Sequence, residues 1–314
     1  MKVLLSFPMG DKQTGVYIKR AFESLGCEIC IVDPKFEYKN LISASKEFSP
    51  DFLFCSREEE LVDVIKDYRK ECPGVKTVCY NVDARHSVKE WGRLLKLFDS
   101  VHLYYCKPRG NVAESQKLCP NTIVKFLTEG MDLTEHKKEI LTEGDFEKYG
   151  YDVVFAGSKS EIYKTPRTYG RIGLIEYLQN KGVNLKLISF NIHGMEKSLG
   201  EDHNKICQCS KIVLGHCGWA DVDLANSARD FRVTAAGGFL LTEYVRGMES
   251  LFEIGKECET YRTPEECYEK IKYYLTHDEE RKQIAENGYQ RTIKDHTFKN
   301  RMLIVLNDIE KIKL

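Results

Sequence analysis

The sequence predicts an α/β protein with two Rossmann-like domains, whose parallel sheets face a cleft, and a helical C-terminal tail. Three observations indicate this fold class. Short apolar strands alternate with amphipathic helices over residues 1–135, and the alternation resumes at residue 151 after a charged stretch. The last third of the chain has apolar residues at helical spacing. Because domains commonly contain about 100–200 residues, a chain of 314 residues is long enough for two.

The first domain, residues 1–135, is predicted from the strand KVLLSF and the helix that follows it. That helix begins at Gly15, presents Ile18 and Phe22 on one face, and ends at Gly26. Further strands follow in the order CEICIVD, PDFLFCS, VKTVCYN, DSVHLYYC and NTIVKFL. Helices are predicted between them over EEELVDVIKDYRKE and SVKEWGRLLKLF. This order of elements is typical of a doubly wound parallel sheet.

The second half of the chain begins after a break in the pattern. Residues 136–150 are charged and weakly apolar, which indicates a linker. The domain over 151–297 contains the predicted strands YDVVFAGSKS, NLKLISF, KIVLGH and GGFLLTE, with the long helix TYGRIGLIEYLQNKG after the first. Residues 298–314 form a final predicted helix with apolar residues at helical spacing.

The charge balance and the apolar runs exclude several classes of protein. Lys and Arg number 47 and Asp and Glu number 48, so no bulk basic field favours nucleic acid as a partner. The most apolar run, residues 233–241, is less than half of the ~20 residues that a membrane span requires. The first residues read as a β-strand rather than a secretory signal, so we expect a cytoplasmic protein.

The twelve cysteines are expected to be reduced and buried rather than to bind a metal. Cys27 and Cys30 have a redox-like spacing, but they flank a strand instead of opening a helix. A second group does not have the spacing of the common structural zinc sites; it consists of His203, Cys207, Cys209, His216 and Cys217. The sequence therefore predicts no metal site.

Two loops at predicted strand ends are candidates for binding phosphate. In the first, FPMGDKQTG, Gly15 lets the backbone approach a ligand at a helix N-terminus, although a plain turn is the alternative. In the second, Gly157 and Ser158 end a strand and several cations follow. Those cations are Lys159, Lys164, Arg167 and Arg171. Helix-end amides with several cations favour a diphosphate site, with a solvated basic loop as the alternative.

The most informative segment is NSARDFRVTAAGGFLLTEYVRGMESLF. Arg229 and Arg232 lie one helical turn apart, and the small residues before FLLT allow backbone amides close to a ligand. Thr242 and Glu243 end the strand, where a carboxylate can accept two ribose hydroxyls. The alternative is tight packing of a helix on a strand by small residues.

This segment and those after it resemble the C-terminal domain of CgeB-like (spore-maturation-type) glycosyltransferases. Four segments occur in the family's order over residues 151–305: the RDFRVTAAGGFLL core, LFEIGKE, a PEE helix and IAENGYQR. PDFLFC, VKTVCYNVDAR and LFDSVHLYYC are similar to the first domain, more faintly. The resemblance implies a glycosyltransferase-B fold, an acceptor domain over 1–135, a nucleotide-diphosphate-sugar donor bound by 151–297, no metal and no further cofactor. In this fold the last helix commonly crosses back onto the first domain.

The resemblance also assigns residues by position. It places Gly157 and Ser158 in a phosphate loop, Arg171 at the start of the first helix of the domain, and the following in the core motif: Arg229, Phe231, Gly237 and Gly238. The family usually has Glu where this chain has Arg232. Because arginine cannot accept hydrogen bonds from ribose hydroxyls, we expect Arg232 to bind a phosphate or an anionic sugar and Glu243 to bind the ribose.

Transfer of the sugar requires positive charge for the departing diphosphate and a base for the acceptor. Arg171, Arg232 and the basic loop 159–167 are the candidates for the first role. Asp83 is the first candidate base and His86 the second, with a helix cap as the alternative role of Asp83. The acceptor is a hydroxyl on a glycan, a lipid-linked molecule or a small molecule, and we expect retention of configuration. A nucleotide-sugar epimerase and a non-catalytic sugar-nucleotide-binding protein are the alternatives.

Overall fold

The computed structural model describes residues 1–157, 170–188 and 200–313. The chain forms two compact units, one of Met1–Asp132 with Phe298–Leu314 and one of Leu133–Thr297. Each unit contains a parallel sheet, so the predicted α/β class with two parallel sheets is confirmed. None of the helices in the described part of the chain combines the length and the apolar character that a membrane span requires.

The first unit is built on a six-stranded sheet in the order β2-β1-β3-β4-β5-β6. Its strands are β1 (Lys2–Ser6), β2 (Glu28–Ile31), β3 (Phe52–Cys55), β4 (Lys76–Asn81), β5 (Leu103–Cys106) and β6 (Ile123–Phe126). Its helices are α1 (Thr14–Ser24), α2 (Leu41–Phe48), α3 (Leu61–Glu71), α4 (Leu95–Phe98), α5 (Val112–Leu118) and, from the end of the chain, α12 (Phe298–Glu310). The second strand along the chain, β2, lies on one side of β1, whereas β3 to β6 lie on the other, so the carboxyl ends of β1 and β3 form a topological switch point.

Both faces of this sheet are covered, because successive side chains point to opposite sides of a strand. Val3 and Leu5 pack in the apolar cluster that contains residues of α1 and α12. Leu4 packs in the opposite cluster, with residues of α2, α3 and α4. This explains why the strands read as continuous apolar runs rather than as alternating ones.

The C-terminal helix α12 belongs to the first unit. Met302 and Val305 are fully buried in the same cluster as α1. Arg301 is buried too, and its Nε donates to the carbonyl oxygens of Thr128 and Glu129 at 3.1 and 3.0 Å. These contacts join the last helix of the chain to the end of the first sheet.

The second unit has a five-stranded sheet in the order β11-β10-β9-β7-β8. The strands are β7 (Val153–Ala156), β8 (Leu185–Ile188), β9 (Ile212–Leu214), β10 (Leu240–Glu243) and β11 (Glu259–Tyr261). The helices are α6 (Glu143–Tyr149), α7 (Arg171–Asn180), α8 (Glu201–Cys209), α9 (Ala228–Ala235), α10 (Pro264–Tyr274) and α11 (Asp278–Asp295). Here the switch point lies at the carboxyl ends of β7 and β9.

Two local features differ from the sequence prediction. The predicted helix SVKEWGRLLKLF is a 3₁₀ segment, Val88–Leu94, followed by α4, because Gly92 has a φ of +53° that interrupts the α-helical backbone. The predicted linker over 136–150 contains α6, whose first turn is capped by reciprocal hydrogen bonds between Thr142 and Asp145. This segment lies within the second unit, where Asn204 donates to the carbonyl oxygen of Glu135.

Candidate functional site

Arg229 spans the switch point of the second sheet. It lies in the first turn of α9, which begins with a capping box between Ser227 and Asp230. Its Nε donates to the carbonyl oxygen of Ala156 at 2.9 Å, and its Nη1 donates to that of His216 at 3.2 Å. Since these carbonyls belong to the end of β7 and the residues after β9, the guanidinium lies at the edge where open α/β sheets bind ligands.

Three arginines lie at this edge, and two of them contact the same aromatic ring. The guanidinium carbon of Arg229 lies 5.0 Å from the centre of the Phe155 ring, and that of Arg171 lies 5.4 Å from it. Burial lowers the pKa of Arg229 to about 10, and the charges of Arg171 and Arg232 act in the same direction. The buried Nε of Arg232 has no hydrogen-bond partner among the described residues. The edge therefore carries a concentration of positive charge.

Two histidines in this region are neutral because of that charge and their burial. His216 is 2% exposed, and its pKa is lowered to about 3 by burial and by the charges of Arg171 and Arg229. Burial and the charge of Arg232 lower the pKa of His203 to about 3 as well. Neither ring nitrogen of His216 has a hydrogen bond to a residue that the structure describes. A buried polar ring of this kind is costly unless a ligand or water satisfies it.

The carboxylate of Glu243 lies beside His216. Its Oε2 accepts a hydrogen bond from the backbone N–H of Cys217 at 3.1 Å and lies 3.6 Å from the Nε2 of His216. Thr242 is also buried, and its hydroxyl donates to a carboxylate oxygen of Asp230 at 3.1 Å. Both side chains thus hold the end of β10 to its neighbours, a role that sequence reasoning did not predict.

The glycines of the site have different reasons to be glycine. A Cβ on Gly157 would lie 2.4 Å from the Nη2 of Arg229, so this position must be small for the arginine to reach the strand end. A Cβ on Gly238 would lie 2.7 Å from the carbonyl oxygen of Cys207, which is packing of backbone on α8. Gly237 has a φ of +80°, a left-handed conformation that favours glycine after a helix.

Phe231 requires a correction. The resemblance placed it in the core motif, among the candidates for the donor site, but its side chain is completely buried. Its ring centre lies 5.8 Å from that of Phe252 and 4.8 Å from that of His296. It therefore belongs to the core against which α9 packs, and it is not accessible to a ligand. Four other candidates of the predicted phosphate loop lie outside the described residues: Ser158, Lys159, Lys164 and Arg167.

In the first unit the predicted base Asp83 follows β4. Its carboxylate forms an ion pair with Arg57, and its backbone N–H donates to the side chain of Asn81 at 3.0 Å. It does not cap the following helical segment, since Ser87 does so. His86 is exposed. The ion pair keeps Asp83 at the carboxyl edge of the sheet.

A pocket of 240 Å³ opens at the same edge, at the switch point between β1 and β3. Gly15 lines it, and a Cβ there would lie 2.4 Å from the carbonyl oxygen of Pro8, so only glycine allows the loop this close to α1. Glu58 also lines the pocket, and burial raises the pKa of its carboxyl group although Lys35 and Arg57 oppose the shift. Sequence reasoning missed these three charged residues. The signal for two of them was available, because Ser56, Arg57 and Glu58 directly follow the strand FLFC.

No metal-binding cluster is present in the described ranges of the chain: they contain no group of three His, Cys, Asp or Glu side chains placed to hold an ion. None of the twelve cysteines forms a disulfide, and all but Cys30 are buried. Burial raises the pKa of Cys27 and of Cys30, which keeps both thiols protonated.

Two parallel-sheet units with a charged strand edge define a class of two-domain α/β proteins, and comparison with known proteins specifies it. The model of the glycosyl transferase-like family matches residues 147–307, half of the chain, and the chain belongs to this family. It is therefore an enzyme of the glycosyltransferase class with the glycosyltransferase-B fold. No curated protein matches the sequence.

Solved structures of similar fold cover nearly the whole chain. HepE from Anabaena, in complex with UDP-glucose, superimposes with a TM-score of 0.69 at 12% identity, over 99% of this chain and 100% of that one. Sucrose-phosphate synthase from Thermosynechococcus elongatus has a TM-score of 0.62 at 8% identity, over 99% of both chains. A DNA-modifying β-glucosyltransferase has a TM-score of 0.61 at 10% identity, over 99% of this chain and 100% of that one. At these identities the similarity shows the fold.

Proposed function

We propose that this protein transfers a sugar from a nucleoside-diphosphate sugar to a hydroxyl acceptor, as a member of the CgeB-like branch of its family. The second unit would bind the donor, with the diphosphate held by Arg171, Arg229 and Arg232. The observation that carries this proposal is the cluster of arginines around Phe155 at the switch point of the second sheet. The four CgeB-like sequence segments supply the finer assignment.

The electrostatics of the cluster favour a diphosphate over a neutral ligand. The charges of Arg171 and Arg232 add to burial in lowering the pKa of Arg229, and the negative charge of a bound anion would be attracted by all three arginines. Arg171 opens α7, a helix of ten residues without an acidic side chain in its first turn. The dipole of that helix adds to the attraction. The unpartnered Nε of Arg232 and the ring of His216 offer further polar contacts.

The proposed reaction is a displacement at the anomeric carbon of the donor sugar. The acceptor oxygen forms a bond to the anomeric carbon on the face from which the diphosphate departs, and the bond from that carbon to the diphosphate oxygen breaks with its electron pair on the diphosphate. The hydroxyl proton passes to a carboxylate of the first unit, for which Asp83 is the proposed base. The arginines would stabilise the charge that develops on the departing diphosphate.

We also propose that the reaction needs neither a metal ion nor a cofactor beyond the sugar nucleotide. The reason is that three guanidinium groups would supply the positive charge that a divalent ion supplies elsewhere. Retention of anomeric configuration is proposed by analogy with the transferases that the sequence resembles. UDP-hexoses are the donors to test first, because UDP-glucose is the ligand named for HepE.

The test is release of UDP from a panel of UDP-hexoses, with and without an acceptor extract, in buffer that contains EDTA. We expect turnover to persist in EDTA and the Arg171→Ala variant to bind UDP about 10-fold or more weakly. Lys282→Ala is the matched control, since Lys282 is an exposed cation on α11. Conversion of the donor to its epimer without UDP release, or UDP binding without any turnover, would contradict sugar transfer.

A further inference from the structure

We propose that the acceptor carries an anionic group, phosphoryl or carboxyl, which binds in the pocket at the carboxyl ends of β1 and β3 through Lys12, Lys35 and Arg57. This inference rests on the proposed function, because it assigns the chemical class of the second substrate to the first unit. The shared chemistry is a negative charge on an otherwise hydroxylated molecule.

The position of the pocket is that of a ligand site. It lies where the strand order reverses, since β2 lies on one side of β1 and β3 on the other, and open α/β sheets bind ligands at such points. Phe7 follows β1 and Ser56 follows β3, and both line the pocket. A pocket of 240 Å³ is large enough for a charged group and part of a sugar ring, but not for an extended polymer.

The charge of the lining favours an anion. Lys12, Lys35 and Arg57 line the pocket together with Glu58, the one acidic side chain of the lining. Arg57 pairs with Asp83 through its Nη2, and its buried Nε has no hydrogen-bond partner among the described residues. Neither lysine side chain forms an ion pair or a hydrogen bond with any residue in the part of the chain that the structure describes. Lys12 has a φ of +56°, a left-handed backbone conformation that costs free energy for a residue other than glycine.

Neutral polar groups in the pocket point to the same ligand. Ser56 is 6% exposed, and its hydroxyl has no hydrogen-bond partner among the described residues. Thr14 and Gly15, at the start of the eleven-residue helix α1, also line the pocket. The N-cap residue Gln13 makes no capping hydrogen bond with its side chain, and no acid occupies the first turn. Backbone N–H groups and a hydroxyl are thus free to bind an anion.

Glu58 gives the pocket a second function. An acceptor whose anionic group binds the lysines would place its remaining hydroxyls within the same lining, where the Glu58 carboxylate can accept a hydrogen bond. This arrangement orients the acceptor, because a molecule bound the other way round would bring its negative charge against Glu58.

The test measures binding of three probes to the full chain by calorimetry without a donor: a hexose 6-phosphate, a hexuronate and the neutral hexose. We expect one or both anions to bind at least 10-fold more tightly than the hexose. The double variant Lys12→Gln/Lys35→Gln should lose that preference. The control Lys66→Gln/Lys117→Gln, which removes two exposed lysines of α3 and α5, should keep it. The two anionic probes distinguish a phosphoryl from a carboxyl ligand.

The inference would be overturned if the unaltered protein bound the hexose and both anions with equal affinity. It would also be overturned if the double variant bound the anions as tightly as the unaltered protein does. UDP binding is measured separately on the same variants, and we expect no change in it. Failure of UDP-hexose binding in the unaltered protein would count against the proposed function, whereas anion selectivity that is absent while UDP-hexose still binds would count against the acceptor site alone.

Discussion

The side chain of Arg229 occupies the space where a side chain at residue 157 would begin. An ideal Cβ on Gly157 would lie 2.4 Å from the Nη2 of Arg229, far inside van der Waals contact. The same guanidinium donates to the carbonyl oxygen of Ala156, the residue before that glycine. The end of β7 and the start of α9 therefore pack against each other through this pair of residues. Because residue 157 has no side chain, Arg229 can lie at the strand edge.

Replacement of Gly157 by alanine should therefore displace Arg229. We expect a loss of about 1–3 kcal/mol of stability from overpacking and a decrease in UDP affinity of about 10-fold. Gly144→Ala is the control, because the nearest atom to an added Cβ there is 3.9 Å away. Thermal unfolding and UDP titration measure the two effects; wild-type affinity in Gly157→Ala would mean that Arg229 does not contact the donor.

Arg232 lies where the CgeB-like pattern usually has Glu. The effect of its charge can be measured on UDP binding and on the pKa of His203. Arg232→Met should weaken UDP binding about 10-fold or more, through loss of a charged hydrogen-bond donor. It should also raise the pKa of His203, since the positive charge of Arg232 is one cause that lowers it. NMR titration of the histidine measures the second effect, and Lys282→Met is the control. An unchanged pKa of His203 in this variant would contradict the electrostatic effect of Arg232 on that histidine.

Kinetic measurements should distinguish the roles of the Asp83 and Glu58 carboxylates in the first unit. Asp83→Asn removes the proposed base, so we expect kcat to fall about 100-fold or more while UDP affinity is unchanged. Glu58→Leu should instead raise the KM of an anionic acceptor, because leucine cannot accept a hydrogen bond from the hydroxyls of that acceptor in the pocket. Steady-state kinetics with both substrates varied measures this difference. The reverse pattern would assign proton transfer to Glu58.

The C-terminal helix should be required for stability of the first unit. Met302 is fully buried in the cluster that contains α1, whereas its neighbour Leu303 is 49% exposed. We expect Met302→Ala to lower the free energy of unfolding by about 2–5 kcal/mol and Leu303→Ala to lower it by less than about 1 kcal/mol. Urea unfolding measures both values. Similar values for the two variants would contradict the packing of α12.

Stability of the second unit should fall in acid because of His216. Its pKa is lowered to about 3 in the folded state, so between about pH 6.5 and 3 the unfolded chain binds a proton that the folded chain does not. Its contribution is complete above pH 6.5 and is lost as the pH falls, by at most about 1.4 kcal/mol per pH unit. His216→Gln should flatten this dependence in urea melts, and His277→Gln, at an exposed position, should not.

Much of the fold could be predicted because apolar periodicity is a local property of the chain. The strands of the first sheet and helices such as α1 and α3 each have an apolar pattern that is complete within a short stretch of sequence. The helix α6 was missed in a charged stretch, where its capping residues Thr142 and Asp145 were the only signal. The short strand β11 was missed because three residues carry little periodicity.

For the candidate site, the sequence alone determined which residue types follow each strand, because a strand end and a charged loop are adjacent in the chain. It therefore indicated the arginines and glycines of the second half. Only the tertiary structure decided which of them meet: the order of β7 and β9 brings Arg229 to a carbonyl 73 residues away and puts Phe231 in the core. The physical reason is that burial and charge at a strand edge depend on which strands are neighbours, and strand order is a property of the whole sheet.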